Sequence, residues 1–212
     1  MTSAPVRRNK AYAPRMTAPE RREQLLDAVL KIIVEQGIHK VSMDTVAREV
    51  GVTRPVVYSV FTDTDDLLRA SLDREQAAAV AQLSPLLSAF DNPDNPGKAI
   101  LDYLDGFLTV VLEAPDRWRA AFSLVDSSTP KLRRRIDSQR TAMTQLLENY
   151  LRQAPLPPAT DIEVTAHVMF TLCWEAGRLL MSEPEIFTRQ RLISFARTIV
   201  AEHFENPDTP DR

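Results

Sequence analysis

The 212-residue chain has one cysteine, Cys173. No intramolecular disulfide can form, which suits a reducing compartment, so the expected location is cytoplasmic. Cys173 lies in an apolar helical pattern and reads as an inert buried thiol. Glycines number only 5 against 15 prolines, and no glycine-rich phosphate loop occurs. No apolar run reaches the roughly eighteen residues of a membrane-spanning helix, and none is expected. The N-terminus has no apolar signal-peptide core, so no secretory signal is expected. G-x-S-x-G and H-E-x-x-H are both missing. His39, His167 and His203 are dispersed, with no Cys/His cluster beside them. The expectation is a protein that is not an enzyme and carries neither metal nor cofactor.

The overall charge of −3 argues against a general nucleic-acid binder. The charge is unevenly placed. Residues 1–62 hold 10 Lys/Arg and 6 Asp/Glu, a net of +4, leaving 16 and 23 in the remainder, a net of −7. A basic front and an acidic body suit a molecule that touches phosphates at one end. With 44% hydrophobic residues the chain can bury a sizeable core.

The stretch SMDTVAREVGVTRPVVYSVF, residues 42–61, has the spacing of a helix-turn-helix. With Met43 as its first position, Ala47 is the small residue where two helices cross. Gly51 supplies the left-handed turn that ends the first helix. Val46, Val50, Val52, Val57 and Val60 fill the five apolar positions of its small core. Ser42 is a suitable N-cap and Asp44 favours the positive helix end. Thr53 is expected to cap the second helix, with Pro55 in that helix's first turn. The usual task of such a unit is to place its second helix in the DNA major groove; the plain alternative is a helical hairpin with no DNA role.

The periodicity predicts an all-α fold of about nine helices, with no alternating strand pattern and no repeat. Residues 1–16, with Arg7, Arg8, Lys10 and Arg15, read as a disordered basic arm, either solvated or reaching along DNA. A first helix at 19–36 buries Leu25, Leu26, Val29, Ile32 and Ile33, and Gly37 ends it. After the motif, helices are expected at about 64–84, 97–113, 116–127, 130–153, 161–181 and 185–205, with a frayed tail from 207 to 212. The acidic Asp63, Asp65 and Asp66 fit helix capping better than a calcium loop. Lys131, Arg133, Arg134 and Arg135 read as a solvated face, with a second DNA contact as the alternative. The domain reading is 17–63 for DNA binding and 64–206 for ligand binding and dimerisation.

Residues 19–72 resemble the N-terminal DNA-binding domain of TetR-family transcriptional regulators. The likeness rests on the first helix with Gly37, on VSMDTVAREVGV, on Tyr58 and Phe61 spaced as Y-x-x-F, and on an acidic helix start followed by Leu67 and Leu68. It covers about a quarter of the chain. It implies a homodimer joined through the last two helices, a palindromic double-stranded DNA operator, and a small-molecule effector among the fourth to eighth helices. It also implies a repressor released from its operator by that effector. Two positions depart from the family habit: Thr64 stands where a phosphate-binding lysine is common, and Ser59 where a basic residue or histidine is common. A helical small-molecule-binding protein without DNA function is the rival reading.

On the second motif helix, Val57 and Val60 face the small core, while Thr53, Arg54, Val56 and Ser59 present the opposite face. Arg54 suits either a guanine edge or a phosphate, and Val56 a thymine methyl. By resemblance Thr53 and Tyr58 suit phosphates, although Tyr58 also reads as packing. Pro55 lies on the same contact segment. Ser42 and the adjoining helix N-terminus suit another phosphate. Candidate ligand contacts are Tyr103, Phe107, Trp118, Phe122, Met143, Leu147, Met169 and Trp174, each of which also reads singly as ordinary core. In the eighth helix, Val168, Leu172 and Leu179 line one side and Phe170, Cys173 and Trp174 another, so one side suits a seam and the other a pocket or core. Glu175 and Arg178 can pair with each other, a partner subunit or a ligand. The ninth helix offers a stripe of Leu192, Ala196, Ile199 and His203, with Phe195 beside it.

Overall fold

The computed structural model describes residues 16–124 and 130–205. The expectations for the arm residues Arg7, Arg8, Lys10 and Arg15, for 125–127, for the tail from 206, and for the side chains of Lys131, Arg133 and Arg135 fall outside the described residues. Nine α-helices, and no strand, run through the described residues. They are α1 (Ala18–Gln36), α2 (Met43–Glu49), α3 (Arg54–Tyr58), α4 (Thr64–Leu83), α5 (Pro96–Glu113), α6 (Pro115–Leu124), α7 (Pro130–Leu151), α8 (Ile162–Ser182) and α9 (Arg189–Val200). Tight 3-10 turns at Ile38–Lys40 and Ser84–Phe90, and a wide π turn at Ala201–Glu205, complete the path.

Local chemistry sets the helix ends. At the start of α1, Glu20 N donates to Thr17 Oγ1 at 3.4 Å, and Thr17 N donates to the Glu20 carboxylate at 2.7 Å. This reciprocal pair satisfies two orphan donors. Asp63 caps α4 by accepting from Asp66 N at 2.8 Å, so the acidic cluster there does capping work. The Asp66 carboxyl accepts from Thr62 N, which holds its pKa below the ordinary value. Pro85 lacks the N–H that would continue α4, and the chain tightens into a 3-10 turn.

One boundary differs clearly from the sequence expectation. The last helix begins at Arg189 rather than near 185. Pro184 follows the end of α8, residues 183–187 form a turn in which Phe187 N donates to Glu183 O at 2.9 Å, and Thr188 Oγ1 accepts from Arg191 N at 3.3 Å. The hydroxyl cap sets the start.

Three apolar clusters form the interior. The first joins α1, α2, α3 and the start of α4 around Leu25, Val29, Val46, Val57, Phe61 and Leu67, and also takes Ala120 and Leu124 from α6. The second gathers α5, α6, α8 and α9 around Phe107, Leu108, Trp118 and Leu180. The third joins α5, α7, α8 and α9 around Ile100, Leu151 and Ala166. Helix α5 is the axle of the body, packing against α8, α9 and the 84–90 turn. Gly177 lets α8 approach closely: a Cβ there would stand 2.8 Å from Phe107 Cε1 and 2.9 Å from Phe122 Cζ.

Candidate nucleic-acid interface and ligand cavity

The turn between α2 and α3 follows from its residues. Ser42 Oγ accepts from Thr45 N at 3.1 Å, and Ser42 N donates to Thr45 Oγ1 at 2.9 Å. At the other end Gly51 adopts φ +69°, which glycine takes without a Cβ clash. Its N–H reaches Arg48 O at 3.2 Å, and Val52 N reaches Ala47 O at 2.9 Å. These two bonds are the Schellman closure. Ala47, Val46 and Val57 are buried in the crossing, with Val50, Val52 and Val60 packed at its edge.

Helix α3 is short, five residues, and presents an exposed rim of Thr53, Arg54, Pro55, Tyr58 and Ser59, with Val56 half-buried among them. Thr53 does not cap α3 through its side chain, contrary to the sequence expectation. The first turn is closed instead by Val56 N donating to Thr53 O at 2.9 Å. Pro55 has no N–H to offer, so a side-chain cap has less to satisfy. Ser42 is half-buried and its hydroxyl is engaged by Thr45, which leaves it a weaker candidate for phosphate than its position suggested. Ser59 Oγ donates to Val56 O at 2.7 Å. Arg54 is held from two sides: Nε lies 3.1 Å from Asp44 Oδ1 on α2, and Nη2 donates to Tyr58 Oη at 3.3 Å. Its guanidinium lies 5.6 Å from the Tyr58 ring centroid. The Tyr58 hydrogen bond, then the Asp44 charge, raise the Arg54 pKa.

The second feature is a cavity of about 310 Å³ in the body, bounded by α1, α4, α5, α6, α7 and α8. Tyr103, Phe107, Trp118, Met143, Leu147, Met169 and Trp174 all line it. Phe122 does not. It stands behind the wall, 4.8 Å from the Trp174 ring and 6.0 Å from Trp118, in the place where α8 comes close at Gly177. The sequence placed the effector among the fourth to eighth helices but singled out no residue of α4, which supplies Ser71, Leu72, Glu75 and Leu83 to the wall. The available signal was Leu72, Ala79 and Leu83 recurring at helical spacing on one face.

Cys173, expected to be buried, is half-buried in the cavity wall, where desolvation pushes its thiol up from 9.0 to about 12. Burial, and then the neighbouring Cys173, raises the Tyr103 hydroxyl; Tyr103 Oη lies 3.9 Å from Met143 Sδ. A chain of ionic contacts runs out from the cavity wall. Arg117 Nε donates to Glu75 Oε2 at 2.8 Å, and Arg117 Nη1 to Gln82 Oε1 at 2.9 Å. Arg74 Nη2 lies 2.7 Å from Glu75 Oε1. Arg74 Nη1 then donates to Asp27 at 2.7 Å and Glu23 at 3.0 Å, both on α1.

The outer face of α8 is apolar and uncovered within one chain: Val164, Val168 and Leu172 are 56%, 45% and 40% exposed. Phe195 of α9 is 60% exposed. Leu179 differs from the sequence expectation: it packs half-buried in the second cluster rather than beside Val168 and Leu172. His203, expected on the α9 stripe, is exposed beyond α9, its Nε2 3.4 Å from Thr165 Oγ1, while Leu192, Ala196 and Ile199 pack inward. Glu175 and Arg178 pair with each other, Nε donating to Oε2 at 2.7 Å, and this bond lowers the Glu175 pKa. Among the described residues no group of three or more His, Cys, Asp or Glu could hold a metal ion. No described helix is long and apolar enough to cross a membrane.

Residues 25–71 match the family model for bacterial regulatory proteins of the tetR family. An uncharacterized HTH-type transcriptional regulator of Mycobacterium tuberculosis is 32% identical over 172 residues, covering 79% of this chain and 70% of that protein. Matches to two Pseudomonas putida regulators are shorter, spanning 32% and 51% of those proteins. Among solved structures, a TetR-like transcriptional regulator from Rhodococcus sp. RHA1 superposes with a TM-score of 0.71 at 20% identity, over 88% of this chain and 96% of that one. The SmeT–triclosan complex superposes with a TM-score of 0.64 at 19% identity, over 86% and 90%.

Proposed function

This chain belongs to the tetR family of bacterial transcriptional regulators, and on that premise we propose that it is a sequence-specific DNA-binding repressor released from its operator by a small-molecule ligand. The observation that carries the proposal is the pairing of two features in one fold. A capped helix-turn-helix presents Thr53, Arg54, Pro55, Val56, Tyr58 and Ser59 on one rim, and an apolar cavity lies behind it under α4 and α6. SmeT, a protein of similar fold, has been solved with triclosan, which supports reading such a cavity as an effector site.

The protein acts as a homodimer through α8 and α9, and the exposed Val164, Val168, Leu172 and Phe195 support that seam. Residues 17–63 bind DNA; 64–206 bind ligand and dimerise. Two recognition helices must sit about 34–36 Å apart to meet successive major grooves of a palindromic operator. A ligand that favours another separation lowers DNA affinity by linkage. The ionic chain from Arg117 through Glu75 and Arg74 to α1 gives the cavity wall a direct mechanical line to the DNA-binding helices. The protein works in the cytoplasm, where its DNA lies.

The test is selection of genomic fragments by the purified protein at low salt, repeated with Arg54→Ala. Recovery of a palindrome that Arg54→Ala selects about 1–3 kcal/mol more weakly makes Arg54 a base reader. An equal loss on all sequences makes it a phosphate contact. No enrichment by the parent protein contradicts the DNA-binding role and favours a ligand-binding protein without DNA function.

A further inference from the structure

The charges in the cavity wall do not balance. Among the described residues, its charged members are Glu75, Arg117 and Arg140. Glu75 Oε2 accepts from Arg117 Nε at 2.8 Å, and Arg74 lies 2.7 Å from the other carboxylate oxygen. Arg117 also donates to Gln82. That set is closed within the protein. Arg140 has no such partner. Among the described residues its guanidinium meets only a ring, that of Phe170, 5.8 Å from the centroid. A ring face attracts the cation but leaves its planar fork of N–H donors unpaired.

The guanidinium stands at the mouth of the cavity. Phe170, the ring it lies over, is itself part of the wall. Arg140 is half-buried, and its neighbour Gln139 on α7 lines the cavity while exposed, as does Val80 on α4. Exposed lining residues mark where the cavity opens, between α4 and α7. The interior beyond them is dominated by aliphatic and aromatic side chains such as Leu83, Phe107, Leu147 and Trp174. A guest with an apolar body and an anionic end fits this layout. The body takes the interior. The anion stays at the mouth, partly hydrated, so it avoids most of the desolvation cost and accepts charge-assisted hydrogen bonds. A neutral guest leaves the guanidinium unpaired, and a cationic guest sets a like charge beside it.

Resting on the reading of this cavity as an effector site, we propose that its ligand class is an amphipathic organic anion, whose apolar body fills the interior and whose anionic oxygens pair with Arg140 at the mouth. The uncompensated guanidinium selects the charge, and the apolar wall selects the body.

Three probes sharing one biphenyl body test this by equilibrium dialysis against the full chain at neutral pH: biphenyl-4-carboxylate, the uncharged biphenyl-4-carboxamide, and the protonated 4-phenylbenzylamine. The chain's two tryptophans, Trp118 and Trp174, both line the cavity, so a change in their emission marks binding there. The expected result is the carboxylate binding about three- to thirtyfold tighter than the carboxamide, between the worth of an exposed ion pair and that of a charge-assisted hydrogen bond, with the amine weakest. Added salt narrows the gap. Arg140→Gln removes it, and Arg140→Lys, which keeps the charge, retains part of it. Equal binding of carboxylate and carboxamide, preference for the amine, or a gap that survives Arg140→Gln overturns the proposal while leaving the cavity reading standing. Carboxylate binding that leaves tryptophan emission unchanged lies outside the cavity and overturns the proposal too. Failure of all three probes to bind overturns the cavity reading and the proposal with it.

Discussion

Replacing Gly177 by alanine sets two effects of opposite sign against each other in α8. Alanine is favoured over glycine inside a helix by about 1 kcal/mol, so an open site would gain stability. Gly177 is not open. Its new Cβ would meet Phe107 Cε1 at 2.8 Å, Phe122 Cζ at 2.9 Å and Phe107 Cζ at 3.0 Å. Both rings are buried and interlocked: Phe107 stands edge-on to Trp118 at 5.2 Å, and Phe122 edge-on to Trp174 at 4.8 Å. Neither ring can withdraw without displacing a tryptophan. Overpacking of a tight core costs about 1–3 kcal/mol, and two locked rings place this site in the upper half of that range. The expected net effect of Gly177→Ala is a loss of about 1–2 kcal/mol, a fall of roughly 2–8 °C in Tm for a chain of this size. Gly106→Ala is the internal control. Its Cβ would stand 2.6 Å from Leu86 Cδ2, but that methyl ends a rotatable, half-buried side chain, so the site relaxes and the net change stays within about 1 kcal/mol. Urea unfolding followed by circular dichroism at fixed protein concentration measures both. A Gly177→Ala protein as stable as the parent, or one less affected than Gly106→Ala, refutes the reasoning.

Two further outcomes follow from burial and from the uncovered face of α8. The raised Cys173 pKa favours the neutral thiol, so its contribution to stability is complete below about pH 9 and is lost as pH rises through about 12; native protein at pH 8.5 should alkylate far more slowly than urea-unfolded protein, and equal rates would contradict the burial. Val168→Asp with Leu172→Asp should yield a folded monomer in sedimentation velocity with weakened operator binding, whereas a persistent dimer would place the seam elsewhere.

The helix-turn-helix was legible because its determinants are local. Val46 and Val57 pack in one cluster and Gly51 makes the turn between them, all within a stretch of about twenty residues, and a left-handed glycine and a buried valine can be read from spacing. The start of α9 was not, because Glu185 and Thr188 both offer plausible beginnings, and only the turn after Pro184 decides between them. Phe107 and Phe122 look alike in sequence. One lines the cavity and the other stands behind it, packed edge-on against Trp174, tens of residues away. The ionic chain through Arg74 was equally hidden, since Glu23 and Asp27 lie 51 and 47 residues from it. Only the tertiary fold brings α1 and α6 against Arg74 and Glu75 of α4.

The first apolar cluster does not end where the helix-turn-helix ends. Leu67 of α4 and Ala120 and Leu124 of α6 are part of it. A fragment cut after residue 63 would expose the faces of Leu25, Val29 and Phe61 that these residues cover, losing burial worth several kcal/mol from a unit of about fifty residues. The reading head is therefore not a detachable module carried by an independent body. Heat or denaturant should take both apart in one cooperative step, and Ala120 and Leu124, which also line the cavity, cannot be reshaped for a ligand without disturbing the first cluster.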